Sequence, residues 1–260
     1  MSIQINAELV KELRDQTGVS VMQCKNALEE AGGDMEKALI ILKNKSSSIA
    51  LKKADRDAHD GIITVVEENG KTLLLTLHCE TDFVAKNEDF TNLANTLAHL
   101  ALKDGVDAMK AQSVEMINQV VQKVGEKIEL GAIELVEGAT IGSYVHAGKS
   151  AVVVSLTGGT KEIAKDIAMH IAAMKPAFTS ANDITETDKV KVIEVFEKEV
   201  AASDKPEEIK KKMLDGKIST YFKEQTLLDQ AFIKDPNLTV AKLLENNKAT
   251  LVKFVRESIG

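Results

Sequence analysis

The chain has 260 residues, 44% hydrophobic and 28% charged, with 33 Lys and Arg against 40 Asp and Glu for a net charge of −7. That is the composition of a soluble globular protein with ample core, and no apolar run approaches the length of a membrane span. The acidic balance speaks against nucleic acid as a direct partner, because phosphate binding needs clustered Lys and Arg.

Asn6 is placed to cap a first helix with Leu9, Val10 and Leu13 on its apolar face and Gly18 at its end. Ser20 caps a second, with Val21, Cys24, Ala27 and Leu28 at helical spacing and Gly32-Gly33 closing it. Asp34 caps a third, with Ala38, Leu39, Ile41 and Leu42 turned inward. Three such helices make a bundle of about fifty residues, too small for an active site and of the usual size for a protein-binding module. Met22 and Lys25 fall off the apolar stripe. The stretch from Lys43 through Asp57 is polar and charge-rich, and it reads as a linker whose second half is partly helical.

From Gly61 the period changes to that of strands. Ile62, Ile63, Val65 and Val66 lead to Asn69-Gly70, a strong hairpin signal, and residues 71–77 return. The chain then turns abruptly polar, and Phe83 follows Asp82 where a strand hands over to a helix. Phe83 reads either as a core plug at that corner or as an exposed anchor for a partner. A helix with Phe90, Leu93, Ala94, Leu97 and Leu100 inward comes next, then another around Val114 to Val124.

The plan recurs with a turn at the end of Gly142 to Lys149, a strand from Ala151 to Leu156, and a helix with Ile163, Ala164, Ile167, Ala168 and Ile171 inward. Gly70-Lys71 matches Gly148-Lys149, and Leu93-Ala94 with Leu97-Ala98 matches Ile163-Ala164 with Ile167-Ala168, which indicates an internal duplication. Between the matched Lys and the matched helix the first copy is about eight residues longer, around Thr81 to Asp89. The second copy turns the same corner with Thr157 to Thr160, so the corner does not need Asp82 and Phe83 to fold, and plug and anchor both stay open.

Thr185 caps a helix carrying Val192, Ile193, Val195, Phe196 and Val200; Ser203 to Pro206 turns the chain, with Pro206 suited to the first turn of the next helix. That helix continues with Ile209, Met213, Leu214, Ile218 and Phe222, giving an antiparallel helical hairpin. The tail holds a strand-like segment at 230–233, a helix with Val240, Leu243 and Leu244, and a strand over 251–255 that joins the second copy. The expected architecture is α+β. A three-helix, ubiquitin-associated-like bundle with its linker occupies 1–55. Two duplicated antiparallel-sheet-plus-helix core subdomains occupy 56–140 and 141–183 with 227–260, and a helical hairpin is inserted at 184–226.

The residues assemble no catalytic site. Cys24 and Cys79 lack metal-ligand spacing, which fits a reducing cytoplasmic setting, and residues 1–6 lack the segments of a secretory signal. His78 and Cys79 are adjacent in a strand and point to opposite faces, so they cannot act together as a thiol pair; Cys79 reads as a small core residue. None of the five histidines shows metal-ligand spacing. His146, in a turn beside Ala147-Gly148, is the one expected at the surface. Neither GxxxxGK[ST] nor GxGxxG occurs.

Two stretches resemble a known family. Residues 13–28, LRDQTGVSVMQCKNAL, are similar to the N-terminal signature of bacterial elongation factor Ts, and residues 79–86, CETDFVAK, resemble its second signature almost residue for residue. The resemblance implies a cytoplasmic guanine-nucleotide exchange factor for elongation factor Tu. It implies no cofactor, metal, covalent chemistry or membrane, and leaves a homodimer open. It implies that Thr81, Asp82, Phe83 and Val84 meet Tu, with Asp82 and Phe83 intruding beside the nucleotide's magnesium site. Arg14, Val21, Met22 and Lys25 match positions that grip Tu's GTPase domain, and His146 matches a turn facing Tu. Val21 stands where the family often has Met, His78 replaces the usual Asn, and Gly131-Ala132 occupies a site often basic. The sequence stops at Ser258-Ile259-Gly260, so contacts made by a C-terminal helix of some members are not expected. Two rival readings are a scaffold binding other partners through the bundle and a thiol enzyme using Cys79.

Overall fold

The computed structural model describes residues 5–260, so the reading of residues 1–4 as free of a secretory signal lies outside the described residues. The first three helices are α1 (Ala7–Thr17), α2 (Val21–Glu30) and α3 (Met35–Leu51). Each starts at the side-chain cap its sequence announces. Asn6 Oδ1 accepts the Leu9 N–H at 2.9 Å, Ser20 Oγ that of Gln23 at 3.4 Å, and Asp34 Oδ1 that of Lys37 at 3.1 Å. Leu13, Cys24, Ala27, Leu28 and Ala38 are fully buried between them.

The linker reading is corrected in both halves: α3 runs on to Leu51, and residues 52–59, expected to be partly helical, are turn and irregular chain. Ser46 is buried within α3 and its hydroxyl donates to the Lys43 carbonyl at 2.7 Å. Lys43 pairs with Glu115 at 2.6 Å and Ser47 accepts from the Asn118 amide at 3.3 Å, both partners on a later helix, α6 (Val106–Val124). Packing against α6 supplies what three consecutive serines withhold in intrinsic propensity.

Strands β1 (Asp60–Glu68) and β2 (Lys71–Cys79) form an antiparallel hairpin in register from Glu68↔Lys71 to Asp60↔Cys79. Asn69 and Gly70, at φ 51° and 72°, make the tight turn. A third strand, β3 (Ile128–Glu137), pairs with β2 and completes the order β1-β2-β3. Between β2 and β3 the chain forms α4 (Asp82–Ala85), α5 (Glu88–Asp104) and α6, the last beginning eight residues earlier than the expected Val114. Leu73, Leu75 and Leu77 of β2 pack against Phe90, Leu93, Ala94 and Leu97 of α5.

The second sheet has the order β4-β5-β8, from β4 (Thr140–His146), β5 (Ser150–Thr157) and β8 (Thr250–Ser258). Ala147 and Gly148 make its turn at φ 51° and 68°, the conformation of Asn69-Gly70 repeated. Helix α7 (Lys161–Met174) packs Ala164, Ile167, Ala168 and Ile171 on Val152, Val154 and Leu156. It comes so close to β4 that a Cβ on Gly142 would lie 2.2 Å from the Lys165 nitrogen, hence glycine. The hairpin consists of α8 (Glu186–Ala201) and α9 (Glu207–Gln225), with Pro206 one residue earlier than expected, at the N-cap. Phe196, Tyr221 and Phe222 pack edge to face along it, at ring separations of 5.9 and 5.4 Å. The short strands β6 (Ala231–Phe232) and β7 (Asp235–Thr239) and helix α10 (Val240–Asn246) precede β8.

The chain forms two compact units. One holds residues up to Leu135 together with Val145–Ala151 and Glu257–Gly260; the other holds Val136–Tyr144 and Val152–Arg256.

Candidate partner-binding surface

The polar stretch after β2 becomes a single turn of helix with a fixed direction. Thr81 sits in extended conformation and caps α4, its Oγ accepting the Val84 N–H at 3.4 Å. The same hydroxyl donates to Glu126 Oε1 at 2.6 Å, while Glu126 Oε2 accepts the N–H groups of Glu80 and Thr81 at 3.1 and 3.0 Å. In return Glu80 Oε1 accepts the Lys127 N–H at 2.6 Å. That bond, aided by Arg56 at 3.3 Å, holds the Glu80 carboxyl below the usual carboxylate range.

Phe83 is 81% exposed, which excludes the plug reading. Asp82 beside it pairs with Lys86 at 2.8 Å, and this bond raises the Lys86 ammonium above its ordinary pKa. Val84 does not share the surface expected of it. It is buried with Ala85 among the apolar side chains of β2 and α5, where it anchors α4 from below. One turn thus divides cleanly into an exposed Asp-Phe pair and a buried Val-Ala pair.

Cys79 is buried beneath this turn and its Sγ donates to the Thr81 carbonyl at 3.2 Å. Burial, reinforced by the charges of Asp60 and Glu126, pushes its pKa up to about 12, so no thiolate forms near neutral pH and the thiol-enzyme reading loses its nucleophile. The imidazole of His78 lies on the opposite face of β2, where Nδ1 is 3.3 Å from the Asp60 carbonyl. A Cβ on Gly131 would fall 2.5 Å from His78 Nε2. His78 and Gly131 are therefore one packing arrangement: the imidazole occupies the space a side chain at 131 would need.

On the bundle, Val21 and Met22 are 53% and 63% exposed. Arg14, Val21 and Lys25 line one shallow cleft of about 360 Å³ with Ile5, Val10 and Lys11, giving an apolar floor with a cationic rim. Lys25 is also paired with Glu29 at 3.6 Å. Lys123 of α6 ties the bundle to the start of α5: its ammonium pairs with Asp89 at 2.7 Å, and its stem lies against the α1–α2 turn, 3.0 Å from where a Cβ of Gly18 would be. His146, expected in the turn, is instead the exposed last residue of β4; the turn that follows docks on β1 through the Ile63 N–H donating to the Gly148 carbonyl at 2.7 Å. Lys149 of that turn pairs with Asp60 and donates to the Gly61 carbonyl at 2.9 Å.

The structure thus brings Thr81, Asp82 and Phe83 together on one turn, and Arg14, Val21 and Lys25 around one cleft. Sequence reasoning missed Glu126 and Lys123, the side chains that hold these surfaces in place. Glu126 grips mostly backbone N–H groups, which leave no trace in residue types. Among the described residues no group of His, Cys, Asp and Glu is arranged to hold a metal ion, and no helix is long and apolar enough to cross a membrane.

The described residues thus present an exposed acid and aromatic on one capped turn and, on the bundle, a cleft with a cationic rim. Residues 80–260 match the family described as Elongation factor TS. The chain is 40% identical to elongation factor Ts of Aeromonas salmonicida, over 98% of its own length and 91% of that protein's. It is 39% identical to the elongation factor Ts of Hydrogenovibrio crunogenus, over 98% and 92% of the two chains, and 38% identical to that of Psychrobacter arcticus, over 99% and 91%. The chain belongs to the elongation factor Ts family, and its role is in the elongation phase of protein biosynthesis.

Proposed function

We propose that the chain binds elongation factor Tu in its GDP form and promotes release of GDP and entry of GTP, in the cytoplasm and without covalent chemistry. The observation that carries this reading is Phe83, left 81% exposed on a turn capped by Thr81 and seated on the buried Val84 and Ala85. An aromatic ring kept in water by a rigid mount lowers its free energy only by entering a partner. In this reading Phe83 wedges between apolar side chains of Tu, and Asp82 brings a carboxylate toward the diphosphate and its magnesium ion, repelling the first and competing with it for the second. Arg14, Val21, Met22 and Lys25 grip Tu's GTPase domain through the bundle, His146 adds a contact from the end of β4, and Thr81 orients α4.

Linkage sets the sign of the effect. A factor that prefers nucleotide-free Tu weakens nucleotide binding by the same coupling free energy. Burial of Phe83 supplies about 1.5–3 kcal/mol of that preference if the ring is buried only in the open complex. Calorimetric titration tests this: the chain is expected to bind nucleotide-free Tu more tightly than Tu with GDP bound. Equal affinity for both forms removes the driving force and refutes the proposal.

A further inference from the structure

A four-residue helix cannot hold its own direction. The β1–β2 ladder ends at the Asp60↔Cys79 pair, so the N–H groups of Glu80 and Thr81 lie beyond the last strand pairing, immediately before Asp82. Both go to one carboxylate, that of Glu126, which takes the Thr81 hydroxyl as well. Glu126 lies in the two-residue connection between Gly125, which ends α6 at φ 78°, and Ile128, which begins β3. The reverse bond from the Lys127 N–H to Glu80 closes the ring between segments 80–81 and 126–127. Three donors on one anionic acceptor form a strong, directional clamp.

We propose that Glu126 is a positioning residue for nucleotide exchange: its carboxylate fixes the angle at which α4 presents Asp82 and Phe83, and it touches neither the nucleotide nor the magnesium ion. The proposal rests on the exchange reading above. A turn freed to swivel still reaches Tu, because the bundle contributes its own contact surface, but it delivers the wedge in the productive orientation only part of the time. The loss therefore falls on the maximal rate of the bound complex rather than on how much protein is needed to form it. A residue that only stabilises the fold produces no such split once the protein is folded.

The test measures release of fluorescent GDP from Tu at increasing concentrations of the full chain. Glu126→Ala is expected to lower the maximal rate about tenfold or more, with the half-saturating concentration within about threefold of wild type. Glu126→Gln, which keeps an oxygen for the N–H groups, is expected within about threefold of the wild-type maximum. If Glu126→Ala melts below the assay temperature, Glu126→Asp replaces it: the charge is kept, the reach is shortened by one methylene, and the same loss of maximal rate is expected. A wild-type maximal rate for the Ala or Asp variant, or a loss that added protein restores, overturns the proposal. Amide hydrogen exchange in the free wild-type chain reads the clamp without mutation. Glu80 and Thr81 amides are expected to be protected, and exchange as fast as in the 55–58 segment overturns the clamp itself. Should wild-type protein fail to accelerate GDP release while these amides are protected, the exchange reading has failed and the clamp has not.

Discussion

Phe83→Ala separates the two things an aromatic can do at this corner. Complete burial of a Phe side chain contributes about 1.5–3 kcal/mol. In the free chain the residue is already 81% exposed, so its removal should change folding stability by less than about 0.5 kcal/mol. On Tu the whole side chain is available for burial. At about 1.4 kcal/mol per factor of ten, losing it lowers exchange efficiency between about tenfold and a hundredfold. Stopped-flow release of fluorescent GDP gives the second number, and thermal unfolding of the same preparation gives the first. Wild-type exchange by Phe83→Ala refutes the wedge. A drop of several degrees in melting temperature says instead that the ring packs inside the chain.

Three further outcomes follow from the same geometry. Cys79, with its thiol pushed up to about 12, should resist iodoacetamide at pH 8 in the folded chain, and Cys79→Ala should keep full exchange activity; abolished exchange would bring back the thiol enzyme. His170 is fully buried, with Nε2 2.9 Å from the Gln230 amide oxygen and Nδ1 accepting the Ile233 N–H at 3.2 Å, and burial depresses its pKa below 6.5. The unfolded chain then takes up a proton below pH 6.5 that the native imidazole refuses. Its contribution to stability is complete above that pH and declines below it, by at most about 1.4 kcal/mol per pH unit. Urea titrations from pH 7.5 to 5 should show this slope and His170→Gln should flatten it; parallel slopes in both proteins refute it. Gly131→Arg should destabilise the chain by about 1–3 kcal/mol by driving a Cβ into the His78 imidazole, and His78→Ala in the same chain should recover most of that. Additive losses in that double variant refute the shared space.

Local chemistry was legible in the sequence wherever it is carried by the residue itself. The caps Asn6, Ser20, Asp34 and Thr185 each accept the backbone N–H three residues on. The two hairpin turns are where Asn69-Gly70 and Ala147-Gly148 place them. What failed depends on distant neighbours. Helix α3 continues through Ser46-Ser47-Ser48 because α6 lies alongside, and nothing between residues 43 and 51 says so. Strand β3 is harder to read because Gly131-Ala132 interrupts the alternation of Ile128-Glu129-Leu130 and Ile133-Glu134-Leu135, leaving two runs each too short to mark a strand. Val84 and Phe83 are neighbours of similar polarity, yet one is buried and the other exposed. Only the direction of α4 decides between them, and Glu126 sets that direction from 45 residues away.

The most direct measurement of the central claim is GDP release from purified elongation factor Tu, preloaded with labelled GDP and chased with unlabelled GTP, in the presence of substoichiometric wild-type chain. The account predicts that each molecule of the chain turns over many molecules of Tu and that release accelerates in proportion to its concentration. Release at the spontaneous rate, with the chain folded and in excess, contradicts it.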